Sequence, residues 1–356
     1  KNQILKEIEK FKVDEIPENL LEEEIKVLSQ GMSDEDVKKS KSETMSAKIN
    51  SLWIAGASGL VGSALVRFYR DTNIGLLAPS HEELDLTNQA EVSKWMESNR
   101  PSHIIMAAGT VGGIGANSSR PAEFISDNII MARNVIHGAF EHKVEKLIYL
   151  GSSCIYPKEA EQPIKENRLL TAPLEPTNEP YAIAKIAGIK MCEAYRAQYD
   201  CNFITAIPCN IYGIGDRYCA HNSHVIPSLI LKIHDAKIRN FPQVELWGTG
   251  NALREFLCAD DLAQGIDILM RKYDDREPVN IGSGDEITIE NLAKLIAKTI
   301  GYQGDIVFNP DYPDGVRRKV VDNAKMTALG WEPQAHLREG LEISYNDFLK
   351  RGIYER

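Results

Sequence analysis

The sequence predicts an α/β protein whose parallel sheet is covered by helices on both faces. Short apolar segments alternate with helical ones from Leu52 onward, which is typical of βαβ units. A glycine-rich turn joins the first predicted strand to the first helix. Small residues follow the later strands at points that a parallel sheet brings to one edge. A smaller α/β lobe and a helical N-terminal extension complete the predicted architecture.

Composition is that of an ordinary globular protein. The 356 residues are 43% hydrophobic and 26% charged, with a net charge of −10. This acidic balance argues against a nucleic-acid surface, and no apolar run reaches the roughly 18 residues of a membrane span. The six cysteines lack metal-ligand spacing. We expect reduced thiols, a cytoplasmic location and no metal site.

Residues 1–49 differ from the rest of the chain. They are rich in Lys and Glu, and their apolar residues at helical spacing lie opposite Glu22–Glu24. Two interpretations remain open. The segment is an appended, partly helical extension, or else it is a docking segment for an unknown partner or the remnant of an upstream domain.

The glycine turn predicts a dinucleotide site. A strand at Leu52–Ala55 precedes it, and a helix at Ser63–Arg67 follows it. Glycines permit a tight turn and let backbone N–H groups approach a pyrophosphate at the helix N-terminus. We expect cofactor contacts from Gly56, Ser58, Gly59, Leu60, Val61 and Gly62.

The end of the second predicted strand, Ile74–Leu77, indicates which dinucleotide binds. An NAD site usually has Asp or Glu there to bond the ribose 2′-OH, whereas this chain continues Ala-Pro-Ser-His. NADP(H) is therefore favoured, with Ser80 and His81 as the available donors. Asp85 either accepts from the adenine amino group or caps the helix that begins near Asn88.

The third and fourth predicted strands also end at this edge. The third, His103–Ala108, is followed by Gly109, and the fourth, Lys146–Leu150, is followed by Gly151 and Ser152. Small residues at a strand end allow a cofactor to pass close by.

Tyr181 and Lys185 lie four residues apart in a predicted helix and therefore share one of its faces. We expect the lysine ammonium to lower the pKa of the phenol, so that it exchanges a proton with a substrate oxygen near neutral pH. Ser152 would hold the same oxygen. A Tyr-x-x-x-Lys pair alone is weak evidence, because such pairs are common on solvated helix faces.

Several motifs in order resemble the GDP-L-fucose synthases, which are extended short-chain dehydrogenases/reductases. The likeness runs from about Ser51 to Tyr354. The motifs are Gly-Ser-Ser-Cys-Ile-Tyr-Pro-Lys (151–158), Leu-Glu-Pro-Thr-Asn-Glu-Pro-Tyr-Ala-Ile-Ala-Lys (174–185), Pro-Cys-Asn-Ile-Tyr-Gly (208–213), Asn-Ser-His-Val-Ile-Pro (222–227), Trp-Gly-Thr-Gly (247–250), Arg-Glu-Phe-Leu (254–257) and Pro-Asp-Gly (313–315).

This resemblance implies two chemistries in one site, on a GDP-4-keto-6-deoxy sugar. C3 and C5 are epimerised, with Cys154 as base and His224 as acid, and NADPH then reduces C4. His221 is a rival for His224. Tyr181 donates a proton to the C4 oxygen, and Lys185 also holds the nicotinamide ribose. The family pattern places further cofactor contacts at Ala108, Gly109, Leu150, Gly151, Lys185, Pro208, Asn210, Ile211 and His224.

The resemblance also assigns substrate contacts to Lys232, Trp247, Arg254 and Asp314. Arg254 suits a diphosphate, because a guanidinium binds such oxygens in bidentate fashion. Trp247 could equally be a core aromatic residue, and Lys232 a solvated helix residue. Ser58 departs from family members that carry a larger basic residue there, so the preference for NADP(H) is less secure than the fold.

A homodimer is the family default, formed through the helix with an apolar stripe from Ala182 to Tyr195. Burial within one subunit would produce the same stripe. Two other functions compete: a nucleotide-sugar 4-epimerase or 4,6-dehydratase of the same fold, and a non-catalytic cofactor-binding regulatory protein.

The predicted domains interleave in the C-terminal part. A cofactor domain covers 50–213 and is completed by about 254–283, where Val279–Gly282 adds a strand to its sheet. Residues 214–253 and 284–356 form the substrate lobe. The elements predicted there are helices at Ile287–Ile300, Asp322–Leu329 and Leu337–Leu349 and a strand at Ile306–Phe308.

Overall fold

The structure, a computed structural model, describes residues 49–219, 223–312 and 315–352. The predictions for the N-terminal extension, His221 and Asp314 concern residues outside these ranges. The strands are β1 (Ser51–Ala55), β2 (Gly75–Leu77), β3 (His103–Met106), β4 (Lys146–Leu150), β5 (Phe203–Pro208), β6 (Asn210–Tyr212), β7 (Gln243–Trp247), β8 (Leu253–Cys258), β9 (Val279–Ile281), β10 (Glu286–Thr288), β11 (Asp305–Asn309) and β12 (Arg318–Lys319).

Helices connect these strands. They are α1 (Leu60–Tyr69), α2 (Gln89–Asn99), α3 (Ile114–Ser119), α4 (Pro121–Glu141), α5 (Glu179–Tyr199), α6 (Val225–Ile238), α7 (Ala259–Lys272), α8 (Ile289–Ile300), α9 (Ala324–Ala328) and α10 (Leu337–Lys350). Two short 3₁₀ turns occur at Ser153–Ile155 and Glu166–Arg168.

A six-stranded sheet in the order β2-β1-β3-β4-β5-β9 forms the centre, and every pair in it is parallel. Its inner strands are fully buried; Leu52, Trp53 and Ile54, for example, are 0% exposed. Strands buried on both faces read as continuous apolar runs, which is why they were recognisable in the sequence. The predicted α/β fold class is confirmed.

The order of strands reverses between β1 and β3, since β2 lies on one side of β1 and β3 on the other. In an open parallel sheet the crevice at such a switch, outside the carboxyl ends of the strands, is where ligands bind. The glycine turn follows β1 and Ala107–Gly109 follow β3, so both line this crevice.

The remaining strands form a second, smaller layer. Strand β8 pairs antiparallel with β10 and parallel with β12 and β6, while β7 and β11 form a separate parallel pair. These elements share a second apolar core with α6, α8 and α10, in which Ile233, Leu292 and Phe348 are buried.

The structure revises several predicted boundaries. Helix α1 begins at Leu60, so the last three residues of the glycine turn form its first turn. The helix predicted from Ile287 begins at Ile289, because the Thr288 side chain accepts from Asn291 N and caps it. Strand β3 ends at Met106, and the helix predicted at 322–329 is the shorter α9.

The interval 254–283 is divided between the two sheets. Strand β9 joins the six-stranded sheet as predicted, whereas β8 lies in the second layer. Conversely, Met326 and Trp331 pack into the core of the six-stranded sheet, although they fall within 284–356. Arg254 therefore lies on a strand of the second layer, beside β12, and not in the six-stranded sheet.

Candidate active site

The glycine turn is closely packed against the end of β3. Gly56 has φ +90°, and a Cβ there would stand 2.6 Å from Ala108 Cα. A Cβ on Gly62 would stand 2.0 Å from Gly56 O. Helix α1 begins without a side-chain cap, and Ser58 and Gly59 are exposed in front of it. Only glycines fit this cradle, and its uncapped N–H groups suit a pyrophosphate.

The opposite wall of the crevice is held by Asn128. Its side chain donates to Thr110 O (2.9 Å) and Phe124 O (2.7 Å) and accepts from Thr110 N (3.0 Å). These bonds fix the loop after β3. A Cβ on Gly109 would stand 3.0 Å from the Asn128 amide oxygen and 3.6 Å from Lys185 Nζ. The predicted Gly109 and Lys185 therefore lie side by side.

Asp85 is not the cap of the helix that follows it. Its carboxylate accepts from Thr87 N at 2.9 Å and from Thr87 Oγ1 at 2.8 Å, while Asn88 caps α2 by accepting from the N–H groups of Ala90 and Glu91. The capping alternative is therefore wrong, because Asn88 already takes that position. Ser80 accepts from Glu83 N, and the Glu83 carboxylate accepts from Ser80 N.

Residues beyond β5 form the far end of the crevice. Strand β5 ends at Pro208 beside β9, and Asn210 and Ile211 belong to β6. The Asn210 amide donates to Glu255 O at 2.8 Å, which joins β6 to β8. This bond ties the cofactor crevice to the strand that carries Arg254.

Lys185 lies at the centre of the predicted catalytic residues. It is 4% exposed, and Nζ donates to Leu150 O at 3.0 Å, at the end of β4. The same ammonium lies 5.9 Å from the centre of the Tyr181 ring. Burial lowers the pKa of Lys185 to about 8. The bond sets α5 against the strand that leads into Gly151 and Ser152.

The expected lowering of the Tyr181 pKa is wrong. Burial raises it well above 10, and the nearby Cys154 and Tyr149 raise it further. Lys185 is itself desolvated, so its charge does not offset the burial of the phenol. A raised pKa keeps Tyr181 protonated at neutral pH, which is the form needed to donate a proton.

Cys154 lies in the 3₁₀ turn directly after Ser152. The thiol is buried, which raises its pKa, while Lys319, the hydrogen bond with the Ser152 hydroxyl, and Lys185 act in the opposite direction. These three groups favour the thiolate, which is the form able to remove a carbon-bound proton. Ser152 and Cys154 are thus brought together as predicted.

His224 stands at the N-terminus of α6 and is exposed. Desolvation by the surrounding protein, together with the charge of Lys319, lowers the pKa of its imidazole. Because the charge of Lys319 acts on both His224 and Cys154, these residues share one electrostatic environment.

Lys319 is a residue that the sequence analysis missed. It lines a cavity with Cys154, Glu175 and Asn178, and on β12 it lies directly beside Arg254. Burial lowers its pKa, and the adjacent Arg254 adds to this. The only signal in the sequence is a run of three cations, 317–319, after the Pro-Asp-Gly motif.

The predicted substrate contacts occupy the second layer. Trp247 stacks on Tyr312, with ring centres 4.6 Å apart and planes 5° from parallel, and Lys232 Nζ lies 5.4 Å from the Trp247 ring. Trp247 is 53% exposed, which excludes the core-aromatic interpretation. Lys232 is half-buried, and its pKa is lowered by burial. Tyr312 was not predicted.

Arg254 lies on β8 with its guanidinium donating to Leu253 O at 2.8 Å.

Among the described residues, no three His, Cys, Asp or Glu side chains are grouped so as to hold a metal ion. No helix within these residues has the length and apolar character to cross a membrane.

Comparisons with known proteins identify the family. Residues 52–282 match the NAD dependent epimerase/dehydratase family. The chain is 49% identical to GDP-L-fucose synthase 1 of Arabidopsis thaliana, covering 87% of this chain and 97% of that protein. It is 48% identical to a GDP-L-fucose synthase of Sinorhizobium fredii, covering 84% and 95%. This chain belongs to the GDP-L-fucose synthase family.

A solved structure agrees with this assignment. A GDP-L-fucose synthetase of Naegleria fowleri bound to NADP superposes with a TM-score of 0.79 at 25% identity, covering 86% of this chain and 96% of that one. The resemblance stated from the motifs is therefore confirmed.

Lys319 provides a direct test of the site's electrostatics. In Lys319→Met, the pKa of the Cys154 thiol should rise, because an opposing positive charge is removed. Alkylation of Cys154 at neutral pH should slow, and its pH midpoint should move upward. The measurement is iodoacetamide labelling across pH, with the Cys154 peptide quantified by mass spectrometry.

The matched control is Arg318→Met, which removes a neighbouring cation whose guanidinium pairs with Glu286. Its alkylation midpoint should stay at the wild-type value. An unchanged midpoint in Lys319→Met, or an equal shift in both variants, would show that Lys319 does not act on Cys154.

Proposed function

We propose that this enzyme converts GDP-4-keto-6-deoxy-D-mannose to GDP-L-fucose, by epimerisation at C3 and C5 followed by NADPH-dependent reduction at C4. The observation that carries the proposal is that Ser152, Cys154, Tyr181 and Lys185 meet at the carboxyl end of β4, in a chain 48–49% identical to named GDP-L-fucose synthases. This function is favoured over a 4-epimerase or dehydratase and over a regulatory protein.

The crevice fits NADP(H). Gly56 and Gly62 let the turn pack tightly against Ala108 and against itself, and the N-terminus of α1 that follows has no side-chain cap. None of the four residues that follow β2, Ala78 to His81, is acidic, which favours a 2′-phosphate over a ribose 2′-OH. When bound, NADPH supplies the hydride for C4. Lys185 would hold the nicotinamide ribose, and Ser58 to Val61 the pyrophosphate.

Epimerisation depends on the acidity of the protons next to the C4 ketone. Cys154 removes a proton from C3 or C5, and Lys319 and Ser152 oppose the burial that raises the pKa of its thiol. His224 returns a proton from the opposite face. Its neutral form predominates because its pKa is lowered, so it must first take a proton before it can act as the acid.

Reduction requires a proton on the C4 oxygen. Tyr181 remains protonated because its pKa is raised, and Ser152 donates a second hydrogen bond to the same oxygen. Lys232, Trp247 and Arg254 bind the nucleotide part of the substrate. Asp314 is proposed for the same role from the family pattern alone.

Tyr181→Phe should block reduction most severely. The variant keeps the ring and loses the proton, so kcat should fall by roughly 100- to 10,000-fold. Binding of NADPH should persist, since Lys185 and the glycine turn are untouched. Steady-state oxidation of NADPH and fluorescence titration of the cofactor measure the two effects. Full turnover by this variant would contradict the assignment of the proton donor.

Cys154→Ser should abolish epimerisation while leaving cofactor binding intact, because a serine hydroxyl is too weak an acid to supply the base form. Exchange of the C3 and C5 protons with deuterium from solvent, followed by NMR, isolates this step. Wild-type exchange in the variant would remove Cys154 from the mechanism.

We further propose a homodimer and a cytoplasmic location. Most of the stripe on α5 is buried within the subunit, including Ile186 and Ile189. The large hydrophobic side chains exposed on α4 and α5 are instead Ile129, Ile130, Ile183 and Tyr199. Among the described residues, Cys154, Cys192, Cys201, Cys209 and Cys258 form no disulfide, which suits a reducing compartment.

Light scattering tests this interface. It should report twice the chain mass for the wild type, and Ile183→Asp should shift the mass toward one chain, because a charge in an apolar contact is costly. A single-chain mass for the wild type would contradict the dimer.

A further inference from the structure

The turn before α5 contains an asparagine at the capping position whose side chain does not cap the helix. Asn178 is the N-cap of α5, the helix that carries Tyr181 and Lys185. Its backbone N–H donates to Glu175 O at 3.2 Å, and Ala182 N donates to its carbonyl at 3.0 Å. An N-cap Asn normally accepts from the first N–H groups of the helix. The Asn178 side chain makes no such bond.

The side-chain oxygen of Asn178 is nevertheless buried. Within the described ranges Oδ1 accepts no hydrogen bond from any residue. A buried acceptor left unsatisfied is costly, so a native structure rarely retains one without a reason. Because the capping bond is also forgone, the position of this oxygen serves neither the helix nor the core.

The cavity that Asn178 lines is also lined by Cys154, the proposed base, and by Lys319, the cation that acts on it. Tyr181 follows Asn178 by three residues, in the first turn of the helix that Asn178 begins. Glu175 also borders this space, but its Oε2 lies 3.1 Å from Lys158 Nζ and is thereby paired in charge. Of the two buried acceptors that line the cavity, Asn178 Oδ1 is the one without a counterpart.

The acceptor character of Asn178 Oδ1 determines which kind of group can be its hydrogen-bond partner. An amide oxygen accepts and cannot donate, so its partner must carry an O–H or N–H group. The ionised diphosphate of a GDP-sugar has only acceptors and would be repelled. The C4 oxygen is taken by Tyr181 and Ser152. The ring hydroxyls at C2 and C3 are the donors that remain near the reacting carbons.

We propose that Asn178 Oδ1 accepts a hydrogen bond from the C2 or C3 hydroxyl of the substrate sugar and thereby selects sugars that carry it. This inference rests on the proposed function. A site built around a substrate hydroxyl rejects the analogue that lacks it, because the protein atom is then left buried and unpaired.

The test combines one substitution in the protein with two changes to the substrate sugar. Wild type and Asn178→Ala are assayed by NADPH oxidation with the full GDP-4-keto-6-deoxy sugar and with its 2-deoxy and 3-deoxy analogues. Asn178→Ala should lower kcat/KM for the full sugar by roughly 10- to 100-fold. With one of the two analogues, the kcat/KM of the wild type should be lower by a similar factor. With that same analogue, Asn178→Ala should cause no further decrease. That analogue identifies the hydroxyl.

Two further variants separate recognition from structure. Thr177→Ala alters the same turn beside the cavity. It removes one long hydrogen bond, 3.5 Å from the Thr177 hydroxyl to Glu175 Oε1, and should leave kcat/KM within about twofold of wild type. Asn178→Asp keeps an acceptor oxygen and should preserve the discrimination between the full sugar and the deoxy analogue. The melting temperature of Asn178→Ala should not fall, because its side chain makes no capping bond and an unsatisfied buried acceptor is removed. The Kd for NADPH should be unchanged in all three variants.

A loss in Asn178→Ala that is equal for the full sugar and both analogues would overturn the proposal. So would an unchanged kcat/KM for the full sugar. If wild type itself fails to oxidise NADPH with the full sugar, the proposed function fails first and this inference falls with it, which distinguishes the two failures.

Discussion

The hydrogen bond from Lys185 Nζ to Leu150 O connects every part of the site. It places α5 against the end of β4, and this fixes Tyr181 relative to Ser152. The lysine also lies beside Gly109, where a Cβ would stand 3.6 Å from Nζ and 3.0 Å from the Asn128 amide oxygen. Desolvation lowers the pKa of this lysine to about 8, so the cation that organises the site is itself easily neutralised. The bond therefore sets both the geometry and the charge of the site.

Burial rather than proximity decides how the catalytic groups titrate. Tyr181 and Cys154 both have raised pKa values, and desolvation is the main cause in each. The consequence differs with the role. A proton donor benefits from a raised pKa, whereas a base is hindered by it and needs cations nearby. Lys319 meets this need at Cys154, and the same charge favours the neutral form of His224.

Much of this architecture could be predicted from the sequence, because it depends on local signals. The apolar strands, the glycine turn and the spacing of Tyr181 and Lys185 are read directly from the chain, and the structure confirms the parallel sheet. The direction of the Tyr181 pKa could not be read, since it depends on how deeply the tertiary fold buries the phenol. Roles for the individual site residues remain predictions.

Contacts between distant segments were also beyond the sequence. Strand β8 contains the Arg-Glu-Phe-Leu motif of Arg254, yet its place in the second sheet depends on pairing with β6, β10 and β12. Lys319 comes to lie beside Arg254 only through that pairing. Asn178 carries a typical capping sequence, and only the structure shows that its side chain leaves the helix end and lines the cavity.

The most direct test of the central claim is oxidation of NADPH with GDP-4-keto-6-deoxy-D-mannose, followed by chromatography and NMR of the product. The account predicts oxidation of the cofactor and formation of GDP-L-fucose, with C3 and C5 inverted and C4 reduced. A product reduced at C4 that retains the mannose configuration at C3 and C5 would contradict the roles of Cys154 and His224. Absence of oxidation would contradict the proposed reaction itself.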